Sequence, residues 1–225
     1  MYEDIELIEK YNAETEHFNS EQPSKQTIDF IEILKEIISL YKIEKIADFG
    51  AGSGHVCEAF FKMGYDVWHV DIEGTVFSFA RKRYNELKLD IKMINPESFF
   101  GQSEKMGLIT CFGVFEHIDS PFIVMNRIYK QLRNGGILAI LADFHNFFHQ
   151  GHYKEHFIFE PFFIQLMENI GFEQMANLTL PSPKLRDNER LSMGNFRVDF
   201  FRRPKNAVDD YLARFKKMAA KYNLP

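Results

Sequence analysis

The stretch Ile46-Ala47-Asp48-Phe49-Gly50-Ala51-Gly52-Ser53-Gly54 decides the fold, because an apolar strand runs there into three glycines at alternating positions. Three missing side chains in one tight turn let backbone N–H groups approach a ligand closely, and glycine takes positive φ without steric cost. A strand followed by such a turn is a binding loop. The dinucleotide fingerprint G-x-G-x-x-G needs its third glycine where His55 stands, and a P-loop needs a Gly-Lys-Ser/Thr ending that is absent. Neither a pyrophosphate nor a triphosphate is therefore the natural ligand.

Working outward, residues 65–70 read Tyr-Asp-Val-Trp-His-Val, a second strand that ends in Asp71. An acid at the tip of the second strand of a doubly wound sheet accepts hydrogen bonds from both hydroxyls of a ribose, which fits a nucleoside without naming it. Asp48 narrows the choice, since a carboxylate suits a cationic amino acid better than a pyrophosphate.

Before the turn, an irregular helical segment falls within residues 2–17 and a periodic one at 25–41, where Ile28, Ile31, Leu34, Ile38 and Tyr41 recur at helical spacing. This N-terminal extension closes one face of the core or covers the ligand. After the turn come a helix at 55–63 stopped by Gly64, a helix at 74–87, and strands at 89–94, 108–113 and 137–142. A helix at 121–132 has Ser120 as N-cap and proline at its first position, and Asn134-Gly135-Gly136 ends it. The alternation indicates βαβ units and a parallel sheet with right-handed crossovers. A further helix at 160–169, a strand from Glu173 to Leu180, a polar connection through Pro181 and Pro183, a strand at 196–202 and an amphipathic helix at 207–222 complete the chain.

These motifs resemble class I S-adenosylmethionine (SAM)-dependent methyltransferases over roughly residues 45–203. Asp48 with the glycine turn is similar to the family's first motif. Cys111-Phe112-Gly113-Val114-Phe115-Glu116-His117-Ile118 is similar to its fourth-strand motif ending in Glu-His, and Leu132-Arg133-Asn134-Gly135-Gly136 to its Leu-x-x-Gly-Gly turn. The resemblance implies a doubly wound, mostly parallel seven-stranded α/β sheet, Rossmann-like, with an antiparallel edge strand. It also implies one domain over 1–225: a helical extension at 1–41, a SAM-binding core at 42–204 and a terminal helix at 205–225. The implied cofactor residues are Asp48, Gly50, Ala51, Gly52, Gly54, Asp71, Ile72, Asn95, Phe112 and Gly113, with S-adenosylhomocysteine as product. Asp48 is then the partner of the methionine ammonium, and Asn95 or Glu97 meets the adenine amino group. Gly107 departs from the family, many of whose members carry an acid there.

Methyl transfer from a sulfonium is an in-line displacement, and orientation alone contributes on the order of 7 to 11 kcal/mol. A hydroxyl or ammonium acceptor must also lose a proton, which a histidine near its ordinary pKa assists. His117 follows the fourth strand, and by resemblance it borders the methyl group. Four of the eight histidines, His145, His149, His152 and His156, lie in residues 143–156 at separations that align them on one helix face. That spacing permits a metal, but Gly151 interrupts it, so a metal is not favoured. The expected catalytic residues are His117, His145 and His149.

The 225 residues fit one soluble domain, with 45% hydrophobic and 26% charged residues in the ordinary globular range. The 24 phenylalanines, many of them late in the chain, supply core and line an apolar substrate pocket. A net charge of −5 speaks against a broad phosphate-binding surface, and the short basic clusters at 81–83 and 202–205 read as solvated ends. Cys57 and Cys111 form neither a metal motif nor a disulfide framework. No apolar run reaches the roughly 20 residues that span a bilayer, and the acidic start is not a secretory signal. The expectation is a cytoplasmic monomer or homodimer that methylates oxygen or nitrogen of a small molecule, with no membrane and no nucleic acid as partner. The competing readings are a protein or RNA methyltransferase, a SAM-binding subunit without acceptor chemistry, and a nicotinamide oxidoreductase, against which the His55 mismatch counts.

Overall fold

A computed structural model describes residues 22–142, 144, 152–180 and 196–206. Helix α1 (Lys25–Tyr41) is followed by strand β1 (Lys45–Phe49), α2 (His55–Lys62), β2 (Asp66–Val70), α3 (Thr75–Glu86), β3 (Lys92–Ile94) and α4 (Pro96–Phe100). Then come β4 (Met106–Phe112), a 3-10 turn at Phe115–His117, α5 (Pro121–Gln131), β5 (Leu132–Leu141), a 3-10 segment at Lys154–Phe162, α6 (Phe163–Ile170), β6 (Glu173–Leu180) and β7 (Phe196–Arg202). The expected segments at 2–17 and 207–222 and the connection around Pro181 lie outside the described residues.

The seven strands form one sheet in the order β3-β2-β1-β4-β5-β7-β6. β1 to β5 pair in parallel, and β7 runs antiparallel to both β5 and β6. Strands buried on both faces send alternate residues into two apolar layers. Ile46, Leu108, Ile137 and Ala139 join Phe30, Leu34 and Ile38 of α1 and Val56 and Phe60 of α2. Ala47, Phe49, Ile109, Leu138 and Ile140 face the other way, onto Val124, Met125 and Ile128 of α5 and Met167 of α6. Among the described residues, no helix is long and apolar enough to cross a membrane.

Several local expectations change. The third strand shortens to Lys92–Ile94, since Lys88 takes positive φ and the Leu89 N–H bonds back to the Tyr84 carbonyl, extending the turn. Helix α5 stops at Gln131, before the glycines, because Leu132 is extended and the buried Arg203 guanidinium takes the carbonyls of Tyr129, Lys130 and Leu132 at 3.2, 3.2 and 2.7 Å. Arg203 is thus a helix cap rather than part of a solvated cluster, and Arg83 of the other basic cluster pairs with Glu58. Ser120 occupies the N-cap position, but its hydroxyl turns to Asp119 at 2.8 Å and makes no capping bond. The helix expected from Glu160 begins at Phe163, because Pro161 lacks an N–H and constrains the residue before it. Gly107 lies inside β4, where a Cβ would meet Ile43 Cγ2 at 3.1 Å and the Lys45 carbonyl at 3.3 Å, so an acid there would be crowded.

Candidate active site

Chain order reverses between β1 and β4, and the crevice beyond the carboxyl ends of such strands is where open α/β sheets bind ligands. The glycine turn leaves β1 at this point, and Gly113 leaves β4. Gly50, Gly52 and Gly54 have φ of 75°, 54° and 81°, so all three glycines are required by the backbone. Space is short as well. A Cβ on Gly50 would stand 2.2 Å from Val114 Cγ2, and one on Gly54 would stand 1.9 Å from the Tyr84 hydroxyl.

The turn is held from both sides. The N–H groups of Gly50 and Ala51 reach the Val70 carbonyl at 2.8 and 3.3 Å, which ties the turn to the end of β2. Asp71 then accepts from the N–H groups of Gly52 and Ile72, both at 2.7 Å. Burial nevertheless pushes its carboxyl up to about 6, against the pull of these two donors. Underneath, the Tyr84 hydroxyl lies 3.0 Å from His69 Nδ1 and donates to the Gly54 carbonyl at 3.2 Å. Burial depresses the His69 imidazole to about 3, so this strap is neutral. On the outer side, Arg83 donates to the Ser53 carbonyl at 3.3 Å and pairs with Glu58.

Asp48, the penultimate residue of β1, is 4% exposed. Its Oδ1 accepts from the Thr110 hydroxyl of β4 at 2.6 Å, and the Cys57 thiol stands 3.8 Å from Oδ2. Burial is the largest influence and pushes the carboxyl up to about 7, with nearby Asp71 adding to it. A buried carboxylate held there by two neutral donors is a receptor for a cationic group.

Asp48, Gly50, Ala51, Gly52 and Phe112 open onto a cleft of about 690 Å³, open solvent included. Its other wall is the start of α1, with Gln22, Ser24, Thr27 and Phe30, and the Phe30 and Phe112 rings meet at 4.8 Å. Ser24 caps α1 by accepting from the Thr27 N–H at 3.1 Å. The N-terminal extension therefore forms part of the site wall as well as closing the core.

Asn95 caps α4 by accepting from the Ser98 N–H at 2.8 Å, and its amide reaches Glu73 at 3.3 Å. Glu97, the other residue considered for the adenine amino group, is taken by Arg127 through two contacts of 2.8 Å, and this pair depresses its pKa. Gly113 adopts φ of 65° and donates to the Leu141 carbonyl at 3.0 Å.

His117 ends the 3-10 turn that follows Gly113, and its ring meets that of His152 edge-on at 4.7 Å. The shared helix face expected for the late histidines does not form between His152 and His156. His152 precedes the 3-10 segment, whereas His156 is buried within it with Nε2 3.2 Å from the Asp119 carbonyl. His145 and His149 lie outside the described residues. The sequence reading missed Thr110, Tyr84 and His69. A lone polar residue inside an otherwise apolar central strand was the available signal for Thr110 and His69.

Residues 47–140 match the sequence profile of the family described as "Methyltransferase domain". A ubiquinone biosynthesis O-methyltransferase of Glaesserella parasuis is 29% identical over 104 residues, 43% of this chain and 44% of that protein. The enzyme of the same description from Bartonella tribocorum is 27% identical over 114 residues, 49% of this chain and 46% of that protein. The chain thus spans about half the length of the curated relatives it matches. Among solved structures, the N-methyltransferase NodS of Bradyrhizobium japonicum with S-adenosylhomocysteine has a TM-score of 0.61 at 13% identity, covering 87% of this chain and 99% of that one. The magnesium protoporphyrin IX methyltransferase of Synechocystis with bound SAM has a TM-score of 0.58 at 10% identity, covering 88% and 96%.

Proposed function

Because residues 47–140 match the family described as "Methyltransferase domain", we propose that the chain is a class I SAM-dependent methyltransferase that transfers the methyl group of SAM to an oxygen of a small molecule. One observation carries this reading: the glycine turn leaves β1 beside two acids, the buried Asp48, held by the Thr110 hydroxyl and the Cys57 thiol, and Asp71, which accepts the N–H groups of Gly52 and Ile72. Asp48 receives the methionine ammonium. Asp71 exchanges its bonds to the turn for the two ribose hydroxyls, and the glycine backbone passes beneath the ribose. Ile72, Asn95, Phe112 and Gly113 complete the cofactor contacts, with Asn95 or Glu97 at the adenine.

Oxygen as acceptor follows the two relatives described as O-methyltransferases. The acceptor stands at the end of β4, where His117 orients it or removes its proton. His145 and His149 belong to the same proposal. The hydroxyl oxygen attacks the methyl carbon as the carbon–sulfur bond breaks, and sulfur keeps the electron pair to leave neutral S-adenosylhomocysteine. Only a nucleophile in line with that bond reacts, so the enzyme's main contribution is to fix the angle.

Calorimetric titration of the protein with SAM and, separately, with NAD tests the donor. Saturable SAM binding without NAD binding is expected, and the reverse would sink the reading. Incubation with SAM and pools of small hydroxyl compounds, read by mass for gain of one methyl group, tests the acceptor class.

A further inference from the structure

Beyond the donor site, the described residues bring together one cluster with the composition of a metal centre. Glu116, His117 and His152 each offer one ligand atom, and these atoms lie within 4.8 Å of one another. We propose that they bind a divalent first-row transition ion of the zinc type, with at least one coordination position left open. That the open position receives the acceptor oxygen rests on the methyl-transfer reading. Binding of the ion does not.

The cluster is tied together by the fold. The 3-10 turn that carries Glu116 and His117 is closed by the His117 N–H on the Val114 carbonyl at 3.0 Å. The segment carrying His152 docks on that turn through the Tyr153 N–H, which reaches the Glu116 carbonyl at 3.0 Å. His156 fastens the same segment a second time through the Asp119 carbonyl at 3.2 Å. The edge-on packing of the His117 and His152 rings keeps both imidazoles beside the Glu116 side chain. Two chain stretches 35 positions apart are thus pinned with their ligand atoms converging.

The donor set selects the ion. Two imidazole nitrogens and one carboxylate oxygen suit borderline ions, whereas magnesium and calcium prefer oxygen alone. Three protein ligands with an open position are the pattern of catalytic rather than structural zinc. Bonds of about 2.1 Å require ligand atoms roughly 3.4 Å apart in a tetrahedron, so the half-buried imidazoles close by at most about 1.4 Å around the ion. Glu116 is 3% exposed, so its carboxylate meets the ion away from bulk solvent.

The site adjoins the reacting centre. Glu116 Oε1 lies 3.7 Å from where a Cβ on Gly113 would stand, and Gly113 begins the loop at the end of β4. An ion here takes a hydroxyl of the acceptor as an open-position ligand and lowers its pKa. The proton passes to solvent, the ion-bound oxygen attacks the methyl carbon, and the thioether leaves.

The test uses the full chain stripped by a chelator and titrated with cobalt(II), read by its visible absorption bands and by calorimetry, with SAM binding measured in parallel. Expected are one cobalt per chain in a low-coordinate nitrogen and oxygen environment, and displacement of that cobalt by zinc. Glu116→Gln, His117→Gln and His152→Gln should each weaken cobalt binding roughly tenfold or more. His152→Gln, a half-buried residue outside the glycine turn, keeps the test valid should the Glu116 variant misfold, with melting and SAM affinity as the folding check. A protein that binds SAM but no cobalt overturns the inference and leaves the methyltransferase reading standing. Cobalt binding that His152→Gln does not weaken overturns the inference as well. Cobalt binding that depends on all three residues in a protein that binds no SAM upholds the inference and sinks the other reading.

Discussion

The proposed donor and acceptor ends of the crevice are built on different principles. The donor end is a backbone construction: three glycines at positive φ, gripped by Val70, Asp71 and Tyr84, all supplied by β1, β2 and the helices beside them. The acceptor end is a side-chain construction, assembled from a short 3-10 turn after β4 and a segment joined to it by a few backbone bonds. A backbone cradle tolerates almost no substitution and serves one ligand. Side chains on turns can be exchanged without disturbing the sheet, so the two ends should respond to mutation in separable ways.

The broadest effect, on binding and stability together, is expected from Gly54→Ala. The new methyl group falls 1.9 Å from the Tyr84 hydroxyl at a φ of 81°, so the turn must move and take the cradle with it. A displacement of about 1 Å at a positioning element costs on the order of a hundredfold, and stability should fall by more than about 1 kcal/mol. Calorimetry with SAM and a denaturant midpoint check both. A Gly54→Ala protein that binds SAM normally would show that the turn is not the cradle.

His117→Gln should break the other end alone. Loss of an acid–base or orienting group lowers turnover by roughly 10² to 10⁴, and SAM affinity should stay unchanged because His117 sits on the 3-10 turn after β4 rather than on the glycine turn. Methyl transfer to an identified acceptor, with SAM calorimetry alongside, separates the two quantities. A parallel loss of SAM binding would mean that the two ends are one unit.

How much the sequence disclosed follows the same division. The glycine turn, Asp48, Asp71 and the succession of strands along the chain were legible because they are local: spacing within nine residues carries the turn, the tip of the next strand carries Asp71, and period-two burial carries the strands. The acceptor end was not, because His152 meets His117 through tertiary bonds that no short pattern encodes. The even spacing of the late histidines suggested a helix face, whereas His152 and His156 point to different partners. Arg203 was similarly opaque, since its helix end lies more than 70 positions away.

Asp48 offers an intermediate effect with a pH signature. Its folded pKa of about 7 lies above the ordinary value of 3.8, so in the free protein the charged form opposes folding. That penalty is absent below about 4, grows as pH rises toward 7, and is fully present above. A bound ammonium reverses the preference and favours the carboxylate. SAM should therefore bind more weakly as pH falls below about 7, by up to roughly tenfold per pH unit, with proton release detectable as buffer-dependent binding heat. Asp48→Asn should lose on the order of 2 to 5 kcal/mol of binding and flatten this dependence. A wild-type affinity that is flat from pH 5 to 8 would remove Asp48 as the ammonium partner.

Tyr84→Phe should have the smallest effect, and it tests whether the donor end is rigid or merely well occupied. The change deletes one hydroxyl, which lies 3.0 Å from His69 Nδ1 and donates to the Gly54 carbonyl at 3.2 Å, while the ring still fills its place in the core. Each lost bond of this kind costs about 1 kcal/mol, and burial of the unmatched His69 nitrogen adds a comparable amount. The Gly54 carbonyl also accepts the Glu58 N–H at 2.9 Å, so the turn keeps a second restraint. Stability should therefore drop by about 1 to 3 kcal/mol while SAM affinity changes only a few-fold, read from denaturant midpoints and calorimetry. Because burial holds His69 neutral and pushes the Tyr84 hydroxyl well above its usual range, the affinity change should be the same at pH 6 and pH 8, unlike that of Asp48→Asn. A large loss of SAM binding with little loss of stability would instead make the Tyr84 hydroxyl a direct determinant of the cradle's shape.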